Sequence, residues 1–242
     1  MNKLKYIIVC FGLLWSCSKD QDDEAQTLYH YTQGRSVELA AVIACAASDE
    51  NTGEIITFYY PELGAVNPRL YQTIGTHVDE TDFVNYSLNT LESAPVFNGY
   101  LGKFIQNSTQ EKWMIVTFEL DGDIKISNPI RSKQIAQPTV WDDAVVIDQS
   151  ETGMPIFNWE NNSEGNTAIY FQVVSDSKNN LLSGTYTFNN QFQYYNTSNV
   201  VLNVTTQTPP DLVINENYKF TLMDVSLDNW VNLVTQKSFI AE

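Results

Sequence analysis

The stretch Trp113–Ser127, WMIVTFELDGDIKIS, restricts the fold more than any other part of the chain. Met114, Val116, Phe118 and Leu120 fall on one side of an extended backbone, because successive side chains of a strand point to opposite faces. Asp121-Gly122 is a dipeptide that accepts the left-handed conformations of a two-residue hairpin turn, and Ile124 and Ile126 follow on the return strand. The same texture recurs along the chain. EIITFYYP, RLYQT and NTAIYFQVVSD are of strand length, with turn residues between them. The 13 tyrosines and 12 phenylalanines supply the aromatic content that pleated surfaces favour. No stretch joins helical periodicity to caps at both ends. SVELAAVIACAAS alone is ambiguous, because its apolar residues run almost unbroken. The expectation is an all-β chain.

Two sandwich domains in tandem fit this pattern. NPIRSKQIAQPTV, with Pro129 and Pro138 among polar residues, reads as the junction between residues 35–137 and 138–242. In the second part, Pro155-Ile156-Phe157-Asn158-Trp159 is a strand with a tryptophan near its end, and Ala168–Val174 is the next strand. Leu212 precedes Tyr218 by six positions, and Tyr218, Phe220 and Leu222 alternate on one side. This part resembles a fibronectin type III domain. The resemblance makes Trp159 the core tryptophan of its second strand, puts Tyr170 on its third, and makes Leu212 with Tyr218 its tyrosine corner. The long polar and aromatic middle, NNQFQYYNTSN, departs from the compact strands usual in that family. The first part carries AVIACAAS, IITFYYP, RLYQT and WMIVTFEL, with VFNGYLGKF as a strand bent at glycine. It reads as a β-sandwich, immunoglobulin-like or jelly-roll-like.

The N-terminus gives an address. Lys3 and Lys5 precede an apolar run from Tyr6 to Trp15 that is too short to cross a bilayer as a helix. Leu14-Trp15-Ser16-Cys17 resembles a bacterial lipobox, which implies a signal peptide of residues 1–16 and lipidation of Cys17. An ordinary secretory peptide cut nearby is the alternative. Ser18–Glu24 is charged and without apolar residues, so it cannot bury enough surface to offset its ordering entropy. It resembles the acidic export segment of cell-surface lipoproteins of the Bacteroidota. Residues 17–34 are therefore expected to be a flexible acidic tether. The expected location is the outer membrane, lipid-anchored and facing the exterior.

Charge and motifs then narrow the chemistry. The whole chain carries a formal −16, and loss of Lys3 and Lys5 leaves 11 basic against 29 acidic residues. Nucleic acid is excluded as a partner on this ground, since its phosphates need basic residues to neutralise them. With Cys10 in the signal and Cys17 acylated, Cys45 is left without a disulfide partner, and its apolar setting is that of a packing thiol. Only two histidines, His30 and His77, are present. No H-E-x-x-H, G-x-S-x-G, C-x-x-C or glycine-rich phosphate loop occurs, so neither a cofactor nor a catalytic residue is assigned. Asp79, Glu80 and Asp82 beside His77 read as a charged loop, and no metal site is assigned.

Binding is the better-motivated chemistry. Sugar rings present apolar C–H faces, which flat aromatic side chains with amide and carboxylate neighbours suit. The candidates are Trp230 with Asp228 and Asn229, Tyr194 and Tyr195, and Trp141. Adjacent tyrosines on a strand point to opposite faces, so one of Tyr194 and Tyr195 is expected to face away from the core. Three functions compete. The first is a non-catalytic surface lipoprotein that binds extracellular polysaccharide or assists a glycan-uptake complex. The second is an adhesive or structural lipoprotein making protein–protein contacts, and the third is a small polysaccharide hydrolase or lyase. An exposed aromatic platform separates the first two.

Overall fold

The computed structural model describes residues 26–162, 165–205 and 207–242. The predicted signal peptide and Cys17 lie outside the described residues. Among the described residues the fold is all-β apart from one short helix, α1 (Leu28–Thr32), and two single 3-10 turns. Ten strands precede the junction: β1 (Val37–Val42), β2 (Ala44–Ser48), β3 (Ile55–Tyr59), β4 (Val66–Gln72), β5 (Ser87–Asn89), β6 (Ala94–Val96), β7 (Leu101–Gln106), β8 (Trp113–Leu120), β9 (Asp123–Ser127) and β10 (Ile130–Arg131). Nine follow it: β11 (Val140–Asp142), β12 (Val145–Asp148), β13 (Ile156–Trp159), β14 (Thr167–Asp176), β15 (Leu181–Thr187), β16 (Gln191–Gln193), β17 (Val200–Asn203), β18 (Asn217–Ser226) and β19 (Val231–Ile240).

These strands form four sheets, which we number I to IV. Sheet I has the order β1-β9-β8-β4-β5 with β10 beside β8, and sheet II the order β2-β3-β7-β6. Sheet III runs β11-β19-β18-β14-β15-β17, and sheet IV runs β12-β13-β16. Leu70, Phe104, Met114, Val116 and Phe118 fill the space between I and II. Phe157 and Trp159 of sheet IV meet Tyr170, Val174, Phe220 and Leu222 of sheet III, with the Phe157 and Phe220 rings stacked 4.1 Å apart. Each pair is a sandwich, closed by the apolar faces that a pleated sheet must cover.

The two sandwiches are themselves stacked. Ala47, Ile56, Phe58 and Leu101 on the outer face of sheet II pack against Phe171, Val173, Tyr186, Met223 and Val225 on the outer face of sheet III. Sheets II and III are thus buried on both sides, and every residue of β3 is buried. This is why IITFY reads as a continuous apolar run instead of alternating, as strands covered on both faces do. In the ambiguous SVELAAVIACAAS only the second half, β2, is covered in this way, whereas β1 is an edge strand of sheet I with Leu39 exposed. The segment is not one helix but β1 and β2, and the chain crosses from sheet I to sheet II at Ile43.

The hairpin anticipated at Trp113–Ser127 forms as β8 and β9, with Leu120 opposite Asp123. Asp121 and Gly122 both have positive φ, 53° and 91°, as a two-residue turn of this hand requires. Met114, Val116 and Phe118 enter the core between sheets I and II. Ile124 and Ile126 face the other side, where they are covered by Leu28 of α1 and by Tyr71, Tyr86 and Ile115.

That cover corrects the expected extent of the tether. Residues 26–34 are docked instead of free: Leu28 is fully buried, and the Tyr31 hydroxyl donates to Glu119 Oε1 at 2.7 Å. The Arg35 and Arg69 guanidinium carbons lie 4.9 and 4.3 Å from the Tyr31 ring centroid. The acidic run ends before this apolar triplet of Leu28, Tyr29 and Tyr31, and Leu28 and Tyr31 provide the contacts that dock the segment.

Near the C-terminal corner Leu212 is buried, and the Tyr218 hydroxyl accepts the Val213 amide at 2.8 Å, the backbone tie expected of a tyrosine corner. The NNQFQYYNTSN segment yields only the three-residue β16 before the chain returns as β17 on the edge of sheet III.

Candidate functional site: a polar cleft beside Trp159

The predicted aromatic platform does not assemble. Trp230 is fully buried and belongs to the core of the first sandwich, although it lies on the turn between β18 and β19 of the second. Its indole N–H donates to the Gln137 carbonyl at 2.8 Å. The flanking residues fix the same turn: the Ala46 amide donates to the Asn229 carbonyl at 3.0 Å, and Asn229 Nδ2 to the Pro129 carbonyl at 3.0 Å. Asp228 is held by Lys133 at 2.8 Å, and its carbonyl accepts the Arg131 amide at 2.9 Å. Trp230, Asn229 and Asp228 are therefore a clasp between the sandwiches, with no ring face open for stacking. An aromatic residue at a hairpin tip reads as exposed only until a second domain closes over it.

The other candidates are likewise engaged in the fold. Tyr194 is fully buried, with its hydroxyl bonded to the Pro210 carbonyl at 2.8 Å. Tyr195 is the half-exposed member of the pair, with left-handed backbone (φ 68°), and its hydroxyl donates to Asp211 at 2.6 Å. Burial, then the Asp211 carboxylate, raises its phenol pKa. Trp141 is half-buried against the inter-sandwich core and donates its indole N–H to the Ser48 carbonyl at 2.9 Å. The HVDETDF acids serve the backbone: Asp79 accepts from Thr81, and Asp82 caps the 3-10 turn at Phe83–Asn85 by accepting from Val84 at 3.1 Å. Burial pushes the Cys45 thiol up to about 12, so it stays protonated and inert.

A different group of residues does converge. Asp224, on β18, is the one fully buried carboxylate among the described residues. Thr167 Oγ1 donates to its Oδ2 at 3.0 Å, Asn162 Nδ2 donates to the same oxygen, and Asn232 Nδ2 reaches Oδ1 at 3.4 Å. Desolvation raises its pKa above the usual carboxylate value, against the opposing pull of these three donors. The network spreads outward from there. Asn232 Nδ2 also donates to Asn166 Oδ1 at 2.7 Å, and Gln137 Nε2 donates to Asn232 Oδ1 at 2.8 Å. Asn161 Oδ1 accepts from the Tyr170 hydroxyl at 2.8 Å and from Asn190 Nδ2 at 2.6 Å.

Of these amides, Gln137, Asn161, Asn162 and Asn232 line a cleft of about 250 Å³ at one edge of the second sandwich. Gln137, Pro138, Val140 and Asp142 form one wall, Trp159, Glu160, Asn161 and Asn162 another, and Asn232, Leu233 and Thr235 of β19 complete it. Thr235 Oγ1 holds Asp142 at 2.6 Å. Trp159, predicted as a core residue, is 6 % exposed and packs edge-on against Tyr170 at 5.3 Å. Its buried indole N–H has no hydrogen-bond partner. The cleft thus combines an indole edge and short apolar walls with fixed amide donors and acceptors and two accessible carboxylates. Asp224 stands behind Asn162 and Asn232 and orients them; it does not line the cleft.

Sequence reasoning placed Trp159 but missed Asn161, Asn162, Asn232 and Asp224. The available signal was Asp224 itself, a carboxylate set into YKFTLMDVS, a strand otherwise apolar on both faces at that end. The asparagines that satisfy it lie on separate loops and carry no spacing that marks them.

No known protein family and no curated protein matches the chain. Among solved structures, one described as the structural basis of neurohormone perception by the receptor tyrosine kinase Torso is similar over 86 % of this chain and 76 % of that chain. The identity is 12 % and the TM-score 0.26, a likeness too distant to carry any argument about this protein.

Proposed function

We propose that this protein is a non-catalytic surface lipoprotein that binds an extracellular glycan in the cleft beside Trp159. The observation that carries the reading is a set of amides fixed in place: Asn162 and Asn232 by Asp224, Gln137 through Asn232, and Asn161 by Tyr170 and Asn190. Neutral sugars offer hydroxyl groups that both donate and accept, and side-chain amides answer in both senses at once. Amides already held by a buried network lose little entropy on binding, which favours affinity. The apolar edge supplied by Trp159, Pro138 and Leu233 suits the C–H face of a ring. The acidic surface disfavours anionic polymers, so the ligand class is neutral polysaccharide. Anchorage at Cys17 with the acidic segment after it puts this binding function on the outer membrane, facing outward. Affinity electrophoresis of the full chain through gels loaded with neutral polysaccharides tests the reading. Retardation that Asn161→Ala abolishes supports it. No retardation across a broad panel refutes it, and release of reducing ends in the same gels refutes the non-catalytic part.

A second reading, a protein–protein adhesin, is favoured by one observation: the clasped junction makes the two sandwiches a stiff unit instead of a hinged pair. Rigid spacers and adhesive modules need that property, whereas a single sugar cleft does not.

A further inference from the structure

The cleft beside Trp159 does not end at the junction segment that walls it. Gln137 and Pro138 also line a second cleft, of about 460 Å³, whose other walls are Arg131, Lys133 and Ala136. Ala136 in turn lines a third, of about 430 Å³, with Ile135, Gln110, Thr76 and His77. Because each shares a wall with the next, the three form one groove that crosses from the second sandwich to the first along residues 133–138. Another cleft, of about 350 Å³ and lined by Tyr60, Leu63 and Tyr100, shares no residue with it.

The shared segment is fixed. Glu111 Oε1 accepts the Ile135 and Ala136 amides at 3.3 and 2.7 Å, Gln134 Nε2 donates to the Gln110 carbonyl at 3.0 Å, and the Gln137 amide donates to the Lys133 carbonyl at 2.8 Å. A wall already held in this way costs a ligand little ordering entropy. Ile74 and Ile135, both exposed, give the far end of the groove an apolar surface.

Arg131 stands midway, with its charge unanswered. It is half-buried on β10, which is pinned by pairing with Trp113 and by the Arg131 amide on the Asp228 carbonyl. Among the described residues no carboxylate pairs with its guanidinium, and its buried Nε has no hydrogen-bond partner. Lys133, beside it in the same cleft, is by contrast bound to Asp228 at 2.8 Å. In a chain with 29 acidic against 13 basic residues, an arginine that no carboxylate holds keeps its terminal donors open to a ligand.

We propose that this groove holds a run of several sugars of the polysaccharide, and that Arg131 donates to the ligand's oxygens where the chain crosses the junction. The inference rests on the glycan reading of the Trp159 cleft and adds length and direction to it. A single sugar needs one cleft, whereas three in series suit a polymer. One open cation among acidic faces suits hydroxyl and ring oxygens, since a polyanion still meets the repulsion of the rest of the chain.

Calorimetric titration of the full chain tests this, with size-fractionated oligosaccharides released by acid from the neutral polysaccharide that retards it in gels. Affinity is expected to rise with length beyond the shortest oligosaccharide that binds. Arg131→Met keeps the aliphatic stem and removes the donors. It should weaken binding of the longest fraction by about tenfold, the loss of one hydrogen bond to a charged donor, and leave the shortest unchanged. Tyr100→Ala, outside the groove, should alter neither. In the native chain the longest fraction should also slow hydrogen exchange in peptides covering Lys133–Ala136, and the shortest should not. The proposal is overturned if the shortest fraction binds as tightly as the longest, if Arg131→Met leaves the length dependence unchanged, or if the longest fraction protects nothing across Lys133–Ala136; binding beside Trp159 then stands without it. If no fraction binds at all, the glycan reading falls and this proposal with it.

Discussion

Replacing Trp230 with alanine should do more than weaken the protein; it should divide one unfolding transition into two. The side chain is fully buried and reaches from the second sandwich into the core of the first. A tryptophan removes up to about 250 Å² from water, which at ~25 cal/mol per Å² is an upper bound of about 6 kcal/mol. Alanine keeps a little of that and the site relaxes in part, so the expected loss is about 3–5 kcal/mol. The Gln137 carbonyl, deprived of the indole N–H, adds about 1 kcal/mol if water cannot reach it. Because this energy is shared between the sandwiches, its loss falls on their coupling. Urea denaturation followed by far-ultraviolet circular dichroism and by tryptophan fluorescence should give coincident curves for the native chain and separated midpoints for Trp230→Ala. Trp230→Phe, which keeps a ring but not the N–H, should fall between them. A loss under about 1 kcal/mol, below what any buried aromatic truncation costs, would refute the clasp, as would a variant that still unfolds in one coincident step.

Three further outcomes follow from individual contacts. At Gly102 an added Cβ would stand 2.3 Å from the Tyr59 ring, which is pinned by stacking on Phe104 and by its bond to Ser93. Gly102→Ala should therefore cost about 1–3 kcal/mol in chemical denaturation, as overpacking does, and a neutral result would show that the ring can move. Asp224 has a raised pKa in the folded state, so its contribution is fully present below the unfolded pKa and is lost as pH rises through the folded value. Asp224→Asn should gain on the native chain as pH increases across that interval, and a difference that is flat with pH would contradict the assigned burial. Tyr31→Phe removes the bond to Glu119 and should cost about 1 kcal/mol. Since Tyr31 and then Arg35 depress the Glu119 pKa, the native chain's advantage over this variant should fade as pH drops through the Glu119 folded value.

Much of the β architecture was legible because it is written in local signals. Alternation and a turn dipeptide identify β8 and β9 at once, and the strand ending in Trp159 and the Leu212–Tyr218 corner lie where the sequence places them. What stayed hidden depends on contacts between distant segments. The stacking of sheet II on sheet III turns alternating strands into continuous apolar runs, so β2 and β3 lose the periodicity by which faces are read. The same stacking takes Trp230 and Trp141 from apparent surface into contact with the other sandwich. The cleft was illegible for a related reason. Its amides come from the junction, from the loop after β13 and from β19, and only hydrogen bonds between distant segments, to Asp224, Asn232 and Tyr170, bring them together.

Hydrogen exchange on the full chain, with and without a neutral polysaccharide that retards it in gels, tests the binding site most directly. The account predicts slowed exchange in peptides covering Gln137–Ala144 and Glu160–Asn162, with little change along β17 and none of it surviving in Asn161→Ala. Protection confined to β17 or to the Tyr60 and Tyr100 cleft, or retardation without protection beside Trp159, would contradict it.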